Sequence, residues 1–160
     1  MWVDLHNAQC EYASLHHAKL DDSNLAGGAF LATHFDGASM NKAYLVDADL
    51  SHAILTNASL VGAFLSDANL NGANMSVVKL KGASLSRADM TNCILMGADL
   101  TEADITDAVI KNVNMERANL TDIQHLLLRQ ISTVKTLSGA TIAEDLLAIL
   151  EDNHPQLLGR

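Results

Sequence analysis

From residue 5 to residue 120, every fifth residue is apolar: the 24 positions are Leu, Ile, Met or Phe, with Cys10 the one variant. The residue two places earlier is Ala in 17 of the 24 phrases, and otherwise Val3, Ser23, Gly28, Thr33, Val78, Cys93 or Val113. A period of five fits neither regular element. Five residues of α-helix turn roughly 500°, so successive repeats would lie about 140° apart instead of forming a stripe. A straight strand has a side-chain period of two and would send successive centres to opposite faces. Both constraints are met by a chain that turns a corner every five residues, so that four phrases close one square coil and every centre faces the axis. The large aliphatic centre fills that axis. The residue two before it lies near a corner under the neighbouring coil, which is why it is small.

Phrases such as Ala48-Asp49-Leu50, Ala68-Asn69-Leu70, Ala98-Asp99-Leu100 and Ala118-Asn119-Leu120 follow the pattern A(D/N)LXX. In this the chain resembles the pentapeptide-repeat family over about three quarters of its length. The resemblance implies an all-β solenoid, a right-handed quadrilateral parallel β-helix. With four phrases per coil the 24 phrases make six coils, and stacking at ~4.8 Å gives a rod roughly 29 Å tall. Leu5, Leu25, Leu45, Leu65, Leu85 and Ile105 then form one column of the core, with Leu50, Leu70, Leu100 and Leu120 among the centres on the other sides.

The pattern fails at His125, which stands where the next centre would fall. The expected division is therefore a β-helix over residues 1–120 and a short α-helical C-terminal cap and tail over residues 121–160. Ile123, Leu126, Leu127 and Arg129 carry helical character within residues 121–130. Thr141-Ile142-Ala143-Glu144 has capping-box spacing before Leu146, Leu147 and Leu150, with Pro155 beyond. The tail resembles the C-terminal tails of some bacterial pentapeptide-repeat proteins. At the other end only Met1 and Trp2 are available to fold across the first ring of Leu5, Cys10, Leu15 and Leu20. An uncovered apolar ring with free edges favours an end-to-end homodimer or contact with a lost upstream domain.

Composition narrows the class of function. Apolar residues make up 49% and aromatics only 4%, so the chain is folded and its interior is small and aliphatic. The N-terminus has no signal-peptide pattern and no segment approaches a bilayer span, which makes the cytoplasm the expected compartment and no membrane the expectation. A net charge of −9, from 19 acidic and 10 basic residues, argues against direct nucleic-acid binding and for a protein partner with a basic or mixed surface.

Catalytic patterns are missing. The seven His residues do not share a column in successive coils, so metal ligands are not expected to converge and no metal or other cofactor is implied. Ser and Thr, as in residues 83–90, come without a nucleophile motif, and no Gly-rich loop carries the Lys of a P-loop. Gly27, Gly37, Gly62, Gly72, Gly82 and Gly97 fit tight turns. Cys10 and Cys93 lie four coils apart, about 19 Å at the inter-coil spacing, beyond disulfide reach.

The outward columns are more informative. Residues twenty apart stack, so Asp47, Asp67 and Asp107 share one column interrupted by Arg87, and Asp49, Asn69 and Asp89 share its neighbour. This acidic edge serves either solubility or the docking of a basic partner. Tyr44 stands above Phe64 on an otherwise polar outside, either as a ladder contact or as an anchor for a partner. The leading expectation is a non-catalytic scaffold for protein–protein interaction. The alternative, implied by the resemblance, is a DNA-mimicking binder of topoisomerase (gyrase) of the quinolone-resistance type. Centres rich in Leu where those members have Phe, and repeats uninterrupted by a loop, count against it.

Overall fold

The computed structural model describes residues 2–159. Parallel bridges join residues twenty apart into four ladders, among them Asp4–Asn24–Tyr44–Phe64–Ser84–Asp104–Gln124 and Gln9–Ala29–Asp49–Asn69–Asp89–Val109. Each phrase contributes a single bridging residue, with a turn after its centre, and no extended strand is present among the described residues.

One phrase explains the consensus. In residues 49–53 the Asp49 N–H donates to Gly28 O of the coil before (2.9 Å), and Leu50 N–H to Asn69 O of the coil after (2.7 Å). At the corner His52 N–H donates to Asn71 O (2.9 Å), and Ala53 N–H closes the turn on Leu50 O (3.0 Å). Backbone acceptors thus serve four of the five amides. The fifth, Ser51 N–H, donates to the Asp49 carboxylate (3.0 Å). Asp or Asn before the centre is therefore a turn cap, an Asx turn repeated along the rod. The same bond recurs at Asn69, Asn74, Asp89, Asp99, Asp104, Asn114 and Asn119. The second residue after each centre, from Asn7 (φ 55°) to Asp122 (φ 53°), has positive φ, which explains the frequency of Gly, Asn and Asp there.

Leu25, Leu45, Leu65, Leu85, Ile105, Leu50, Leu70, Leu100 and Leu120 are fully buried. Leu5, assigned to the core from the period, is only half-buried, like Cys10 and Leu15 in the same coil. Met1 lies outside the described residues, and Trp2 does not close that ring, being 67% exposed. In the second coil Phe30 and Phe35 replace Leu and meet edge to face, with centroids 5.5 Å apart at 68°. The position two before Phe30 is Gly28, where a Cβ would fall 2.4 Å from the ring. With the Phe30 ring lying there, Ala has no room at this position, although Thr33 is accommodated two before Phe35.

Beyond Leu120 the segment expected to be helical from residue 121 instead continues the first ladder through Gln124, and His125 turns out to meet Asp104 with Nδ1–Oδ1 at 2.9 Å. Helix α1 is only Leu128–Ile131. The other ladders resume with Asn114–Thr136 and Asn119–Thr141, so the offset grows from 20 to 22 residues. Where α1 interrupts the second ladder, Gln130 takes over its bonding. The buried Gln130 amide donates to Ala108 O (2.9 Å) and Ile105 O (3.3 Å), and its oxygen accepts from Leu127 N–H (2.9 Å). Helix α2, Glu144–Asn153, follows without a side-chain cap. The capping box expected from Thr141 is not formed, because Thr141 is engaged in the ladder. Leu150 is buried, and Pro155 opens a 3-10 helix, Pro155–Leu158. Among the described residues no helix is long and apolar enough to cross a membrane.

Candidate functional site

The first ladder carries the two aromatic residues singled out above. Tyr44 and Phe64 stack with centroids 4.9 Å apart and planes 14° from parallel, and remain 50% and 41% exposed. They occupy positions where their ladder neighbours Asn24 and Asp104 cap turns. An aromatic ring cannot accept that bond, so this pair replaces a turn cap with exposed apolar surface. Trp2 extends the surface: together with Asp22, Asn24, Ala26, Tyr44 and Val46 it lines an open groove of ≈ 370 Å³. As a lid over the first ring Trp2 carries no sign of this role. Counting twenty back from Asp22 puts it in a corner column beside this face.

The acidic edge is less acidic than its composition. Asp67 receives a two-pronged contact from Arg87, Nε to Oδ1 at 2.7 Å and Nη2 to Oδ2 at 2.5 Å. That hydrogen-bonded guanidinium holds the Asp67 carboxyl below the usual carboxylate range. Arg87 itself is raised, first by Asp67 and then by Asp107 and Asp47. Asp107 also meets Arg129 at 3.4 Å. Asp49 and Asp89 have a different occupation: Asp49 Oδ1 accepts from Ser51 N–H and Asn69 Nδ2, each at 3.0 Å, and Asp89 Oδ1 from Thr91 N–H at 2.9 Å. Of the acidic residues on this edge, Asp67 and Asp107 are paired with arginines at the corner, Asp49 and Asp89 cap turns on the neighbouring face, and Asp47 acts on Arg87 only through its charge. A continuous negative face of the kind a nucleic-acid mimic requires is broken by Arg87.

The histidines correct the expectation that they stay apart. His16, His34 and Asp36 converge, with one ligand atom from each lying within 4.8 Å of the others. Asp36 is held below the usual carboxylate range, chiefly by its hydrogen bond to His16. His34 does not stack in the column of His16 but reaches it diagonally, with ring centroids 5.2 Å apart.

The cysteines provide no chemistry of this kind. Cys93 is buried, its Sγ–H donates to Leu70 O (2.9 Å), and burial pushes its thiol up to about 12. At the C-terminal end an apolar hollow of ≈ 490 Å³ opens between Leu120, Leu126, Ile142, Leu146 and Ile149.

Comparison with known proteins agrees with this architecture. The family model for pentapeptide repeats matches in eight copies, over residues 24–57, 50–87, 58–97 and 83–122. Among solved structures the chain is similar to HetL, a pentapeptide repeat protein involved in heterocyst differentiation regulation from the cyanobacterium Nostoc sp. strain PCC 7120. The identity is 30%, over 86% of this chain and 67% of HetL, with a TM-score of 0.52. A pentapeptide repeat protein of the Arabidopsis thaliana thylakoid lumen is 22% identical over 73% of this chain and 70% of its own (TM-score 0.45). QnrB1, a plasmid-mediated fluoroquinolone resistance protein, is 17% identical over 94% and 95% (TM-score 0.31). None of the curated proteins matches.

Proposed function

The chain belongs to the pentapeptide-repeat family, and from that premise we propose that it is a non-catalytic scaffold that binds another protein through the face carrying Trp2, Tyr44, Val46 and Phe64. We read the solenoid as right-handed, as parallel crossovers are, four-sided and about six coils long, with the α1–α2 segment as its cap. The observation that supports the reading is the stacked, half-exposed Tyr44–Phe64 pair beside the Trp2 groove. Large rigid rings offer contact area at little entropic cost and dominate binding hot spots. Around them stand Asp22, Asp47 and the Asp67–Arg87 pair. That rim suits a partner with an apolar centre and a mixed, predominantly basic border. The aliphatic axis leaves no interior pocket for a substrate, which supports a scaffold over an enzyme.

The test is capture from a lysate of the source cell by the wild-type rod, by Tyr44→Ser/Phe64→Ser, and by Lys79→Ser on another ladder. The expected result is a partner retained by wild type and Lys79→Ser but lost from the double variant. One hot-spot ring at ~2 kcal/mol corresponds to roughly 30-fold weaker binding, and loss of both should weaken it by at least that factor. A partner captured equally by all three proteins places the working surface elsewhere.

A further inference from the structure

We propose that His16, His34 and Asp36 form a binding site for a borderline first-row divalent cation, Zn²⁺ or its neighbours, that links two successive coils. His16 comes from the first coil, His34 and Asp36 from the second. The turn geometry converges them: His16 and Asp36 follow stacked centres, and His34 precedes the centre between itself and Asp36. His16 Nδ1 lies 2.5 Å from Asp36 Oδ2, His34 Nδ1 lies 3.8 Å from Asp36 Oδ1, and the two imidazole rings are 5.2 Å apart.

A tetrahedral ion with ligand bonds of about 2.0–2.1 Å requires ligand atoms about 3.4 Å from one another. The observed separations straddle that value. The adjustment falls on side chains that are 44%, 43% and 29% exposed and so free to rotate. Two neutral imidazoles and one carboxylate are a set that Zn²⁺, Co²⁺, Ni²⁺ and Cu²⁺ prefer and that Mg²⁺ and Ca²⁺, which seek oxygen, do not. Three protein ligands leave at least one position for water or a further ligand. The ring of His17 lies over Gly37 instead, outside the set.

The position gives the ion a mechanical consequence. The coil that carries His16 also carries Leu5, Cys10 and Leu15, all half-buried, and so gains less from burial than the coils that follow. An ion shared between His16 and the His34–Asp36 pair ties this coil to the next. Any ligand that binds only the folded state raises its stability.

The experiment titrates Zn²⁺ into the chelator-dialysed full chain against a chromophoric zinc indicator, in parallel with His16→Gln, His34→Gln, Asp36→Asn and His52→Gln. All four positions are on the surface, and circular dichroism checks that each variant is folded. The expected result is one equivalent bound by wild type and His52→Gln, with affinity reduced about tenfold or more in each of the other three. Zn²⁺ should raise the Tm of wild type and not of those three, and a hundredfold excess of Mg²⁺ should not displace it. Equal affinity in wild type and the triad variants, or no bound equivalent, overturns the site. Binding without a rise in Tm overturns the link between coils.

Discussion

Replacing Gly28 by Ala restores the consensus phrase in sequence and should nevertheless destabilise the protein. The new Cβ would lie 2.4 Å from Phe30 Cε2, 2.7 Å from Cζ and 3.1 Å from Leu25 O, whereas carbon atoms in contact keep about 3.5–4.0 Å. The ring would have to retreat by about 1 Å. It has nowhere to go, since Phe30 is fully buried and its neighbour Phe35 stands edge-on to it. Overpacking of this kind costs about 1–3 kcal/mol. Phe30→Leu alone leaves unfilled space and costs roughly 1 kcal/mol, but in its presence the Ala methyl has room. The double variant Gly28→Ala/Phe30→Leu recreates the Ala-x-Leu pairing used elsewhere and should be more stable than the sum of the single changes by about 1–2 kcal/mol.

Urea unfolding followed by circular dichroism measures all three, provided the m-value stays constant. Gly82→Ala is the control: there φ is +63° and no atom lies within 4 Å of the added Cβ, so its cost of about 1 kcal/mol is backbone strain that Phe30→Leu cannot relieve. Strict additivity of Gly28→Ala and Phe30→Leu, or a neutral Gly28→Ala, would refute the steric explanation of this glycine.

Two further outcomes follow from buried polar atoms. With its thiol pushed up to about 12, Cys93 holds about one thiolate in ten thousand at pH 8, so a thiol reagent should titrate one cysteine, the half-buried Cys10, in the native protein and both after unfolding. Gln130→Ala removes the donor to Ala108 O and the acceptor for Leu127 N–H, a loss of about 1–3 kcal/mol if both are left unpaired; hydrogen exchange should accelerate over residues 124–141 and stay unchanged near residue 60, and uniform exchange would refute a capping role.

The period of five was legible because burial enforces it: an apolar centre every fifth residue and a small residue two before it leave one geometry. The C-terminal segment was less legible because local and long-range bonds compete there. Thr141 has the spacing of a helix cap, yet its backbone N–H donates to Ala118 O at 2.9 Å and its O accepts from Leu120 N–H, and the ladder, which satisfies two backbone groups, prevails over one side-chain cap. Gln130 could not be recognised from sequence, since its role depends on a two-residue change of register. For Asp49 and Asp89 the column picture gives only a shared face, whereas their bonding to the turn follows from counting amides within the phrase.

The surface can be read further once a second offset is added to the first. Side chains twenty apart meet directly, as Asp67 does Arg87. Side chains eighteen apart meet as well, because the residue after one centre approaches the residue before the centre above it: Asp21–Ser39 (2.6 Å), Asn41–Ser59 (2.6 Å), Ser66–Ser84 (3.1 Å) and Thr101–Asn119 (3.0 Å). His16 and His34 are eighteen apart and His16 and Asp36 twenty. Both offsets are therefore needed to find such a group, and sequence inspection limited to columns overlooks it. Packing constrains the centres and their small partners and the turn biases two of the three outward positions, yet side chains still pair across coils at +18 and +20. The recurrence of the phrase identifies the fold, whereas a surface pair is identified only across two coils.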